Sequence, residues 1–280
     1  MSGSLLRPAT TGDDHELSRL LTENRYHRHL DWRNPLSLLG EHPFFVLERD
    51  GHITGALACP PDPPGIAWLR LFATGFGESR IRAWHELWNT ASGNLPGGIK
   101  AAAISLHEWL DDLLISSGFR KTQELVMLEG DAAKPSPPCG ETQPGIRSMY
   151  GSDLLAVEDV DGAAFPALWR ISKEDLQRAH AQALFATVYE YGDRLLGYQV
   201  STRTSLGLHL ARLAVHPQAQ GKGVGHYLLQ DLFRQASAQG IHHFTVNTQG
   251  DNAVSLSLYT KLGFKLTGES YPVYTLALPG

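Results

Sequence analysis

Residues 208–229 read LHLARLAVHPQAQGKGVGHYLL, and this stretch decides the fold of the chain. An apolar, strand-like run ends at His216 and Pro217, a glycine-rich segment follows from Gln220 to Gly225, and a helical pattern begins there. Glycines let the backbone turn sharply and point several N–H groups one way, and a following helix adds its own unpaired donors. This order of strand, glycine loop and helix predicts a site for phosphate groups.

The spacing of the glycines distinguishes between phosphate ligands. A Walker loop has Ser or Thr after its Gly-Lys pair, but Lys222 is followed by Gly223. A dinucleotide fingerprint fails as well, because its third glycine would fall at His226. The pattern that fits is Gln-x-x-Gly-x-Gly at Gln220, Gly223 and Gly225. It resembles the acetyl-CoA-binding motif of the GNAT acyltransferase superfamily, although a glycine cluster by itself is also consistent with a plain tight turn.

The resemblance implies acetyl-CoA as cofactor and a set of contacts to it. The strand backbone at Leu213, Ala214 and Val215 would pair with the pantetheine arm. The pyrophosphate would be held by the amides of Gln220, Gly221, Lys222, Gly223, Val224 and Gly225. The Lys222 side chain would face a CoA phosphate, with a solvated lysine beside a glycine turn as the alternative.

A second segment, NAVSLSLYTKLGF at 252–264, follows at the distance that the family shows. It resembles the family's block Asn-x-x-Ala-x-x-Leu-Tyr-x-Lys-x-Gly-Phe, with serine in the alanine place. Val254, Leu258 and Leu262 repeat every four residues, which predicts a helix with one buried face. Gly263 then predicts a left-handed cap at the end of this helix.

Two polar residues of this segment are candidate site residues. The resemblance implies that Tyr259 protonates the departing CoA thiolate, and a phenol with a reference pKa of about 10 is a suitable donor. The alternative is a partly buried aromatic with a satisfied hydroxyl. Asn252 would either contribute to the cofactor site or cap the helix.

A candidate for the general base, the group that would take a proton from the acceptor amine, lies on the strand before the glycine loop. Strand alternation predicts that His209, Ala211, Leu213 and Val215 share one face. Resembling enzymes often carry a Glu or His base at the place of His209, and an imidazole with a reference pKa near 6.5 accepts a proton at neutral pH. A half-exposed structural histidine is the alternative, and Glu190 on the neighbouring strand is the reserve candidate.

The segment 131–145, DAAKPSPPCGETQPG, marks a domain boundary. It carries four prolines and two glycines with almost no large apolar residue, so it is unsuited to the interior of a helix or strand. We predict a linker at 131–145 between a domain at 1–130 and a domain at 146–280. A chain of 280 residues is long enough for two domains.

The same features recur in the same order on both sides of this linker. The matching segments are 5–8 with 145–148, 44–56 with 185–198, and 115–119 with 260–264. This duplication predicts an α/β fold of two tandem GNAT-like domains, each a twisted mixed β-sheet flanked by helices and splayed at the cofactor strand. The first copy lacks the Gln-x-x-Gly-x-Gly frame and has Leu114 at the place of Tyr259. We therefore expect a degenerate first domain and a catalytic second domain.

Composition narrows the class of protein further. The net charge of -5 and the absence of a basic run give no reason to expect nucleic acid. No stretch of 18 apolar residues predicts a membrane span, so a cytoplasmic protein is expected. Cys59 and Cys139 have no Cys or His at metal-binding spacing, so neither a metal site nor a disulfide framework is predicted. Nothing in the composition indicates an oligomer.

The predicted function is acetyl-CoA-dependent N-acetyl transfer by direct attack of a primary amine in a ternary complex. The acceptor would be a small molecule or a peptide or protein N-terminus. A non-catalytic acyl-CoA-binding sensor or assembly module is the alternative, and the thiolate donor Tyr259 favours the enzyme. An acceptor pocket could be lined by Phe165, Trp169, Tyr271 and Tyr274, although aromatics at such spacings are equally often core residues.

Overall fold

The computed structural model describes residues 4–23, 26–131 and 145–280, and the chain forms two compact units. Unit 1 consists of the chain up to Gln123 together with Tyr271–Gly280, and unit 2 is Glu124–Ser270. Most of the predicted linker, residues 132–144, lies outside the described residues. Among the helices that the structure describes, none is both long and apolar enough to cross a bilayer.

The elements follow one another in a repeated α/β pattern. The first half of the chain contains β1 (Ser4–Pro8), α1 (Asp14–Glu23), β2 (Tyr26–Arg28), β3 (Phe44–Arg49), β4 (His52–Ala58), β5 (Ile66–Trp68), β6 (Leu71–Thr74), α2 (Arg80–Gly93), β7 (Lys100–Ile104), α3 (Glu108–Ser116) and β8 (Arg120–Asp131). The second half contains β9 (Ile146–Ser148), α4 (Leu154–Ala164), α5 (Lys173–Gln182), β10 (Phe185–Tyr191), β11 (Arg194–Arg203), β12 (Leu208–Val215), α6 (Val224–Ala238), β13 (His243–Gln249), α7 (Ala253–Lys261) and β14 (Lys265–Ala277).

Unit 1 is built on an antiparallel sheet with the strand order β1-β3-β4-β6-β2. Asp50 and Gly51 have φ angles of 51° and 79° and form the tight turn between β3 and β4. A second set of strands joins β5 in parallel to β7, and β7 pairs antiparallel with the end of β14 at Val273–Ala277. The last strand of the chain therefore completes unit 1.

Unit 2 has the strand order β8-β13-β12-β11-β10-β9, in which the β12–β13 pair is parallel and the others are antiparallel. Helix α6 covers one face of this sheet, because Leu228, Leu229 and Leu232 repeat at helical spacing and are all buried. Leu229 and Leu232 join Phe244 and Val246 of β13 in one apolar core. The expected mixed sheet flanked by helices is confirmed.

The compact units do not end where the composition of the chain suggests a boundary. Strand β8 leaves unit 1 after Gln123, and its residues 125–131 pair with β13 inside unit 2. Strand β14 leaves unit 2 after Ser270 and pairs with β7 inside unit 1. The boundaries at 130 and 146 therefore differ from the structural division, because each unit is completed by a strand from the other half of the sequence.

The internal duplication is visible in a repeated ion-pair network. In unit 1, Arg7 makes two hydrogen bonds of 2.8 Å to the carboxylate of Asp13 and one of 3.0 Å to Glu48. In unit 2, Arg147 does the same with Asp153, at 2.7 and 3.0 Å, and with Glu190, at 2.7 Å. Each network ties the first strand of a unit to its first helical turn and to its hairpin.

Candidate active site

The glycine loop between β12 and α6 has the backbone that the sequence predicts. Gly221 and Gly223 have φ angles of +74° and +84°, in the left-handed region that side chains disfavour. Gly223 is the N-cap of α6, and no side chain caps this helix. A helix whose N-terminus lacks a capping side chain presents its donors and its positive dipole end to solvent or to a ligand.

Six consecutive amides, from residue 221 to residue 226, surround this helix start. Among the described residues, none of these N–H groups has a protein acceptor, whereas the next one, of Tyr227, donates to the Gly223 carbonyl at 3.0 Å. The loop thus combines backbone donors that have no protein acceptor with a helix N-terminus that no side chain caps. This donor set fits the phosphates of CoA.

The remaining loop residues support this geometry in different ways. The Gln220 side-chain amide donates to the Val215 carbonyl at 3.0 Å and so ties the loop to the end of β12. Val224 is buried in a small apolar cluster, while Lys222 is exposed and makes no ion pair among the residues described. A Cβ on Gly225 would lie 3.2 Å from Leu258 Cδ2, so glycine there permits the close approach of α6 and α7.

A β-bulge in β12 changes the face on which the predicted site residues lie. Leu210 pairs with Ser201 and Arg212 pairs with Val200, so Ala211 is an extra residue. Beyond the bulge, Leu213 packs in the same apolar core as Leu208 and Leu210. The prediction that His209 shares a face with Leu213 and Val215 is therefore wrong, because the bulge reverses the alternation after Leu210.

Strands β12 and β13 pair only over Leu208–Leu210 and Phe244–Val246. Beyond these pairs, the β13-facing edge of Leu213, Ala214 and Val215 has no strand partner among the described residues. Open backbone groups on such an edge can accept an extended ligand in the manner of an added strand. The glycine loop and α7 follow the carboxyl ends of these two strands, where ligands of open α/β sheets generally bind.

His209 lies on β12 beside the point where the strands part. Its Nδ1 is 2.9 Å from the Thr245 hydroxyl oxygen of β13. The imidazole is half-buried, and burial lowers its pKa below the ordinary value of 6.5. Among the described residues, Nε2 has no hydrogen-bond partner. His209 is thus a neutral imidazole at physiological pH, and the Thr245 hydroxyl fixes its orientation.

Tyr259 is the buried residue of α7, with 5% of its surface exposed. Its ring packs against Phe264, with ring centroids 5.7 Å apart. Its hydroxyl has no hydrogen-bond partner within the described part of the chain. Burial raises the pKa of this phenol above its usual value, so it keeps its proton across the physiological range.

Of the other expectations for α7, one is confirmed and one is wrong. Gly263 has a φ of +91° and provides the predicted left-handed cap. The predicted apolar stripe is wrong at Val254, which is 78% exposed, because the face that points inward is centred on Tyr259 and Leu262. The side-chain oxygen of Asn252 accepts a hydrogen bond of 3.1 Å from the Ser255 amide, so Asn252 caps the helix.

Glu190 does not lie with the other candidates. Its carboxylate is paired with Arg147 at 2.7 Å, and it pairs in the hairpin with Leu195, near the start of β11. His209 pairs with Thr202 at the other end of the same strand, which places the two roughly 20 Å apart along β11. Glu190 is a member of the repeated ion-pair network rather than a reserve base.

Two site-forming residues were missed in the sequence. Thr245, the partner of His209, gave no signal, because its role depends on the parallel register of β12 with β13. The second is Asp161 of α4, which is 0% exposed and is paired with Arg212. An arginine inside the apolar run of β12 was the available signal for a buried carboxylate partner.

The positions of unit 1 that correspond to His209 and to the start of α6 carry different residues. Trp68 pairs with Ala102 in the parallel β5–β7 pair, as His209 pairs with Thr245. Its ring packs at a tilt of 33° against His29, with the centroids 4.6 Å apart. At the start of α2, the Ser79 hydroxyl accepts a hydrogen bond from the backbone N–H of Arg82. The preceding residue, Glu78, places a carboxylate there, 2.6 Å from Arg49. Both features disfavour a bound phosphate.

The four predicted acceptor aromatics are divided between the two units. Tyr271 and Tyr274 belong to unit 1, and Tyr274 is buried in a core cluster of that unit. Phe165 and Trp169 belong to unit 2, between α4 and α5. Phe165 lies under the Arg212 guanidinium, 3.7 Å from its carbon to the ring centroid.

The fold and this site define the class of protein. Residues 156–273 match the acetyltransferase (GNAT) domain family. The second half of the chain therefore carries a domain of the GNAT N-acetyltransferase family. Enzymes of this family use acetyl-CoA.

Comparisons with individual proteins extend the likeness to the whole chain. The mycothiol acetyltransferase of Actinosynnema mirum is 27% identical over 274 residues, covering 92% of this chain and 82% of that protein. The mycothiol acetyltransferase of Pseudarthrobacter chlorophenolicus is 28% identical over 184 residues, covering 60% of this chain and 57% of that protein. A tandem GNAT protein from the clavulanic acid biosynthesis pathway superimposes with a TM-score of 0.63 at 14% identity, covering 98% of each chain. The fold of this chain is therefore that of tandem GNAT proteins.

Proposed function

We propose that this chain transfers the acetyl group of acetyl-CoA to the primary amine of a small molecule, and that unit 2 carries the reaction. The observation that carries the proposal is the set of open amides at 221–226, next to strands that part beside His209. Unit 1 lacks the corresponding loop, histidine and tyrosine, so its role is structural.

Bound acetyl-CoA supplies an acetyl thioester, and the residues of unit 2 hold and orient it. The amides of Gly221 to Gly225 hold the pyrophosphate, and Lys222 adds a mobile positive charge nearby. The open edge of Leu213–Val215 pairs with the amide groups of the pantetheine arm. These residues would hold the cofactor beside the gap between β12 and β13, where it would supply the acetyl thioester.

His209 removes a proton from the acceptor amine. When its Nδ1–H donates to the Thr245 hydroxyl, the lone pair of Nε2 remains available to accept a proton. The lowered pKa of the imidazole keeps it unprotonated at neutral pH. A neutral histidine with a fixed ring can therefore accept the proton directly, and the imidazolium that forms releases it to solvent before the next turnover.

Tyr259 supplies a proton to the thiolate that leaves. Its hydroxyl carries a proton at all physiological pH values because burial raises its pKa. The hydroxyl donates no hydrogen bond to another described protein group. A binding module has no need of such a donor, so Tyr259 is the feature that favours catalysis over a sensor role.

The acceptor class is inferred from the relatives. Two proteins that align with this chain are named mycothiol acetyltransferases, so mycothiol lacking its acetyl group is the first acceptor to test. A small molecule is proposed over a peptide or protein N-terminus on this ground.

The test measures acetylated product by mass spectrometry, since an acceptor with its own thiol would obscure a free-thiol assay. The full chain is incubated with acetyl-CoA and either mycothiol lacking its acetyl group or one of a panel of small primary amines, amino acids and short peptides. Product with small amines that disappears in Tyr259→Phe supports the proposal. Tight CoA binding without product from any amine would favour the sensor instead.

A further inference from the structure

We infer that the buried ion pair between Arg212 and Asp161 is a positioning device for the acceptor, which fixes the segment 165–171 as one wall of the acceptor site. The inference rests on the proposed function, since it assigns a role within the same site. It concerns two residues that neither bind CoA nor exchange protons in the mechanism above.

Arg212 joins the cofactor strand to the segment between α4 and α5. Its Nε and one terminal nitrogen donate to the same carboxylate oxygen of Asp161 at 2.8 and 2.6 Å. That terminal nitrogen also donates to the Trp169 carbonyl at 2.6 Å, and the guanidinium carbon lies 3.7 Å from the centroid of the Phe165 ring. One side chain thus contacts both ends of the turn that contains Phe165 and Trp169.

Asp161 holds the same segment from the other side. Its second carboxylate oxygen accepts a hydrogen bond of 3.1 Å from the Ile171 amide. The oxygen that Arg212 contacts also accepts a hydrogen bond of 2.6 Å from the Tyr198 hydroxyl of β11. The path of the chain from Phe165 to Ile171 is therefore fixed by two charge-assisted hydrogen bonds, at Trp169 and Ile171, and by the cation–π contact at Phe165.

The duplicated unit shows that the fold itself does not need this ion pair. Leu71 pairs with Ala58 at the register position where Arg212 pairs with Val200. Leu21 follows Arg7 at the distance at which Asp161 follows Arg147. Leu21 and Leu71 pack in one apolar core cluster of unit 1. Two leucines thus occupy, in the same architecture, the places of the ion pair.

Buried ion pairs rarely contribute more stability than the apolar residues that could replace them, because both charges lose their hydration. Asp161 is 0% exposed, so this cost applies in full. Stability alone gives no reason for unit 2 to carry a pair that unit 1 replaces with leucines. What the pair adds in unit 2 is a directional attachment of the segment 165–171, which leucines cannot provide.

The position of the pair links this attachment to the reaction. Arg212 directly follows the bulge in β12, and its side chain lies on the same face as His209, opposite to Leu210 and Leu213. The segment that Arg212 holds therefore covers the face of the sheet from which the proposed base acts. Phe165 and Trp169 are half-buried in this segment and present the surface against which an acceptor would rest.

The test uses the full-length chain with the pair converted to its unit 1 form. The variant Asp161→Leu/Arg212→Leu/Tyr198→Phe removes both charges and the hydroxyl that would lose its acceptor. We expect a folded protein with unchanged calorimetric affinity for CoA and an unchanged KM for acetyl-CoA. The kcat/KM for the acceptor should fall by roughly 10²-fold, as expected when an acceptor is held less well.

Hydrogen exchange provides a readout that does not depend on activity. The amides of residues 165–171 should exchange faster in the triple variant, while those of β10, β11 and β13 keep their protection. This part of the test stands even if no acceptor is turned over, so a failure of the proposed function is distinguishable from a failure of the inference.

Two single variants keep the inference testable if the triple variant does not fold. Arg212→Lys retains the charge but loses the Nε donor to Asp161 and the planar guanidinium that lies over the Phe165 ring, so faster exchange at 165–171 is expected. Tyr198→Phe alone is the matched control, because it leaves both Arg212 contacts intact and should behave as wild type. Unchanged exchange and unchanged acceptor kcat/KM in either the triple variant or Arg212→Lys would overturn the inference.

Discussion

Leu114 occupies in unit 1 the place that Tyr259 occupies in unit 2. The carbonyl of each accepts a hydrogen bond of 3.0 Å from the amide of a phenylalanine five residues later, Phe119 or Phe264. Each helix ends before a glycine with a left-handed φ, +87° at Gly118 and +91° at Gly263. The two units thus keep the same helix end while only one of them keeps a hydroxyl there.

The first prediction concerns the number of CoA sites. Calorimetric titration of the full chain with CoA should give one site per chain, because the start of α2 is capped by Ser79 and carries the carboxylate of Glu78. A fragment that begins at Gly145 is unsuitable, since it would lose β8, which pairs with β13 inside unit 2. Two sites of similar affinity would contradict the assignment of CoA binding to unit 2 alone.

The second prediction concerns the proton donor. Tyr259→Phe should keep CoA affinity, because only a hydroxyl without a described protein partner is lost, and should lower kcat by roughly 10²–10⁴. Tyr191→Phe is the control, since that tyrosine is exposed at the hairpin end. Steady-state kinetics at saturating acetyl-CoA give the comparison. Full activity in Tyr259→Phe would require another acid.

The third prediction concerns the pH dependence of the base. Acceptor kcat/KM should decline on the acid side with an apparent pKa below 6.5, because burial lowers the pKa of His209 and only the neutral imidazole accepts a proton. His209→Gln should remove this limb. Deprotonation of the acceptor amine in solution produces a separate limb at higher pH, which the variant should retain.

Thr245→Val is the companion variant for the orientation of His209. It preserves the shape of the side chain but removes the hydroxyl 2.9 Å from Nδ1. We expect a lower kcat with CoA affinity unchanged.

For the His209→Gln variant, an acid limb that persists would show that a different group, or an ordered water, is the base.

The fourth prediction concerns the glycine loop. Gly223→Val should abolish CoA binding, since it forces a branched side chain into a φ of +84° and places a Cβ 3.2 Å from the Tyr227 ring. Gly240→Val is the matched control, because that glycine has a φ of +71° with open space around it, at the other end of α6. The control should show the same backbone strain in thermal unfolding and normal CoA affinity in calorimetry. Retained affinity in a folded Gly223→Val would mean that the loop is only a turn.

The fifth prediction concerns the stability of unit 1. His27 is fully buried, its Nε2 is 3.0 Å from the Leu69 carbonyl, and burial lowers its pKa to about 4. The unfolded chain, with a histidine pKa near 6.5, therefore binds more protons than the folded protein between these values, so stability falls as pH falls. We expect His27 to contribute a loss of about 2 kcal/mol between about pH 7 and about pH 5.

Urea unfolding across this pH range measures the effect. His27→Gln should show a shallower dependence than wild type, whereas His15→Gln, at an exposed position on α1, should leave the dependence unchanged. An identical slope in wild type and His27→Gln would contradict the assignment.

The local sequence determined the features that depend on backbone chemistry. The left-handed cap at Gly263, the sharp glycine turn before α6, the helix that follows it and the duplicated hairpins were all predicted, because glycine and strand patterns act over a few residues. The resemblance carried by the two motifs of the second half then gave the family and the cofactor.

Tertiary structure decided what depends on register and on distant segments. The bulge at Ala211 reversed the face of β12, and the parallel register brought Thr245 to His209. The exchange of β8 and β14 between the units moved the boundaries, because pairing with a distant strand leaves no mark in local composition. Asp161 became an ion-pair partner of Arg212 only because α4 packs on β12, and burial then made pairing obligatory for both charges.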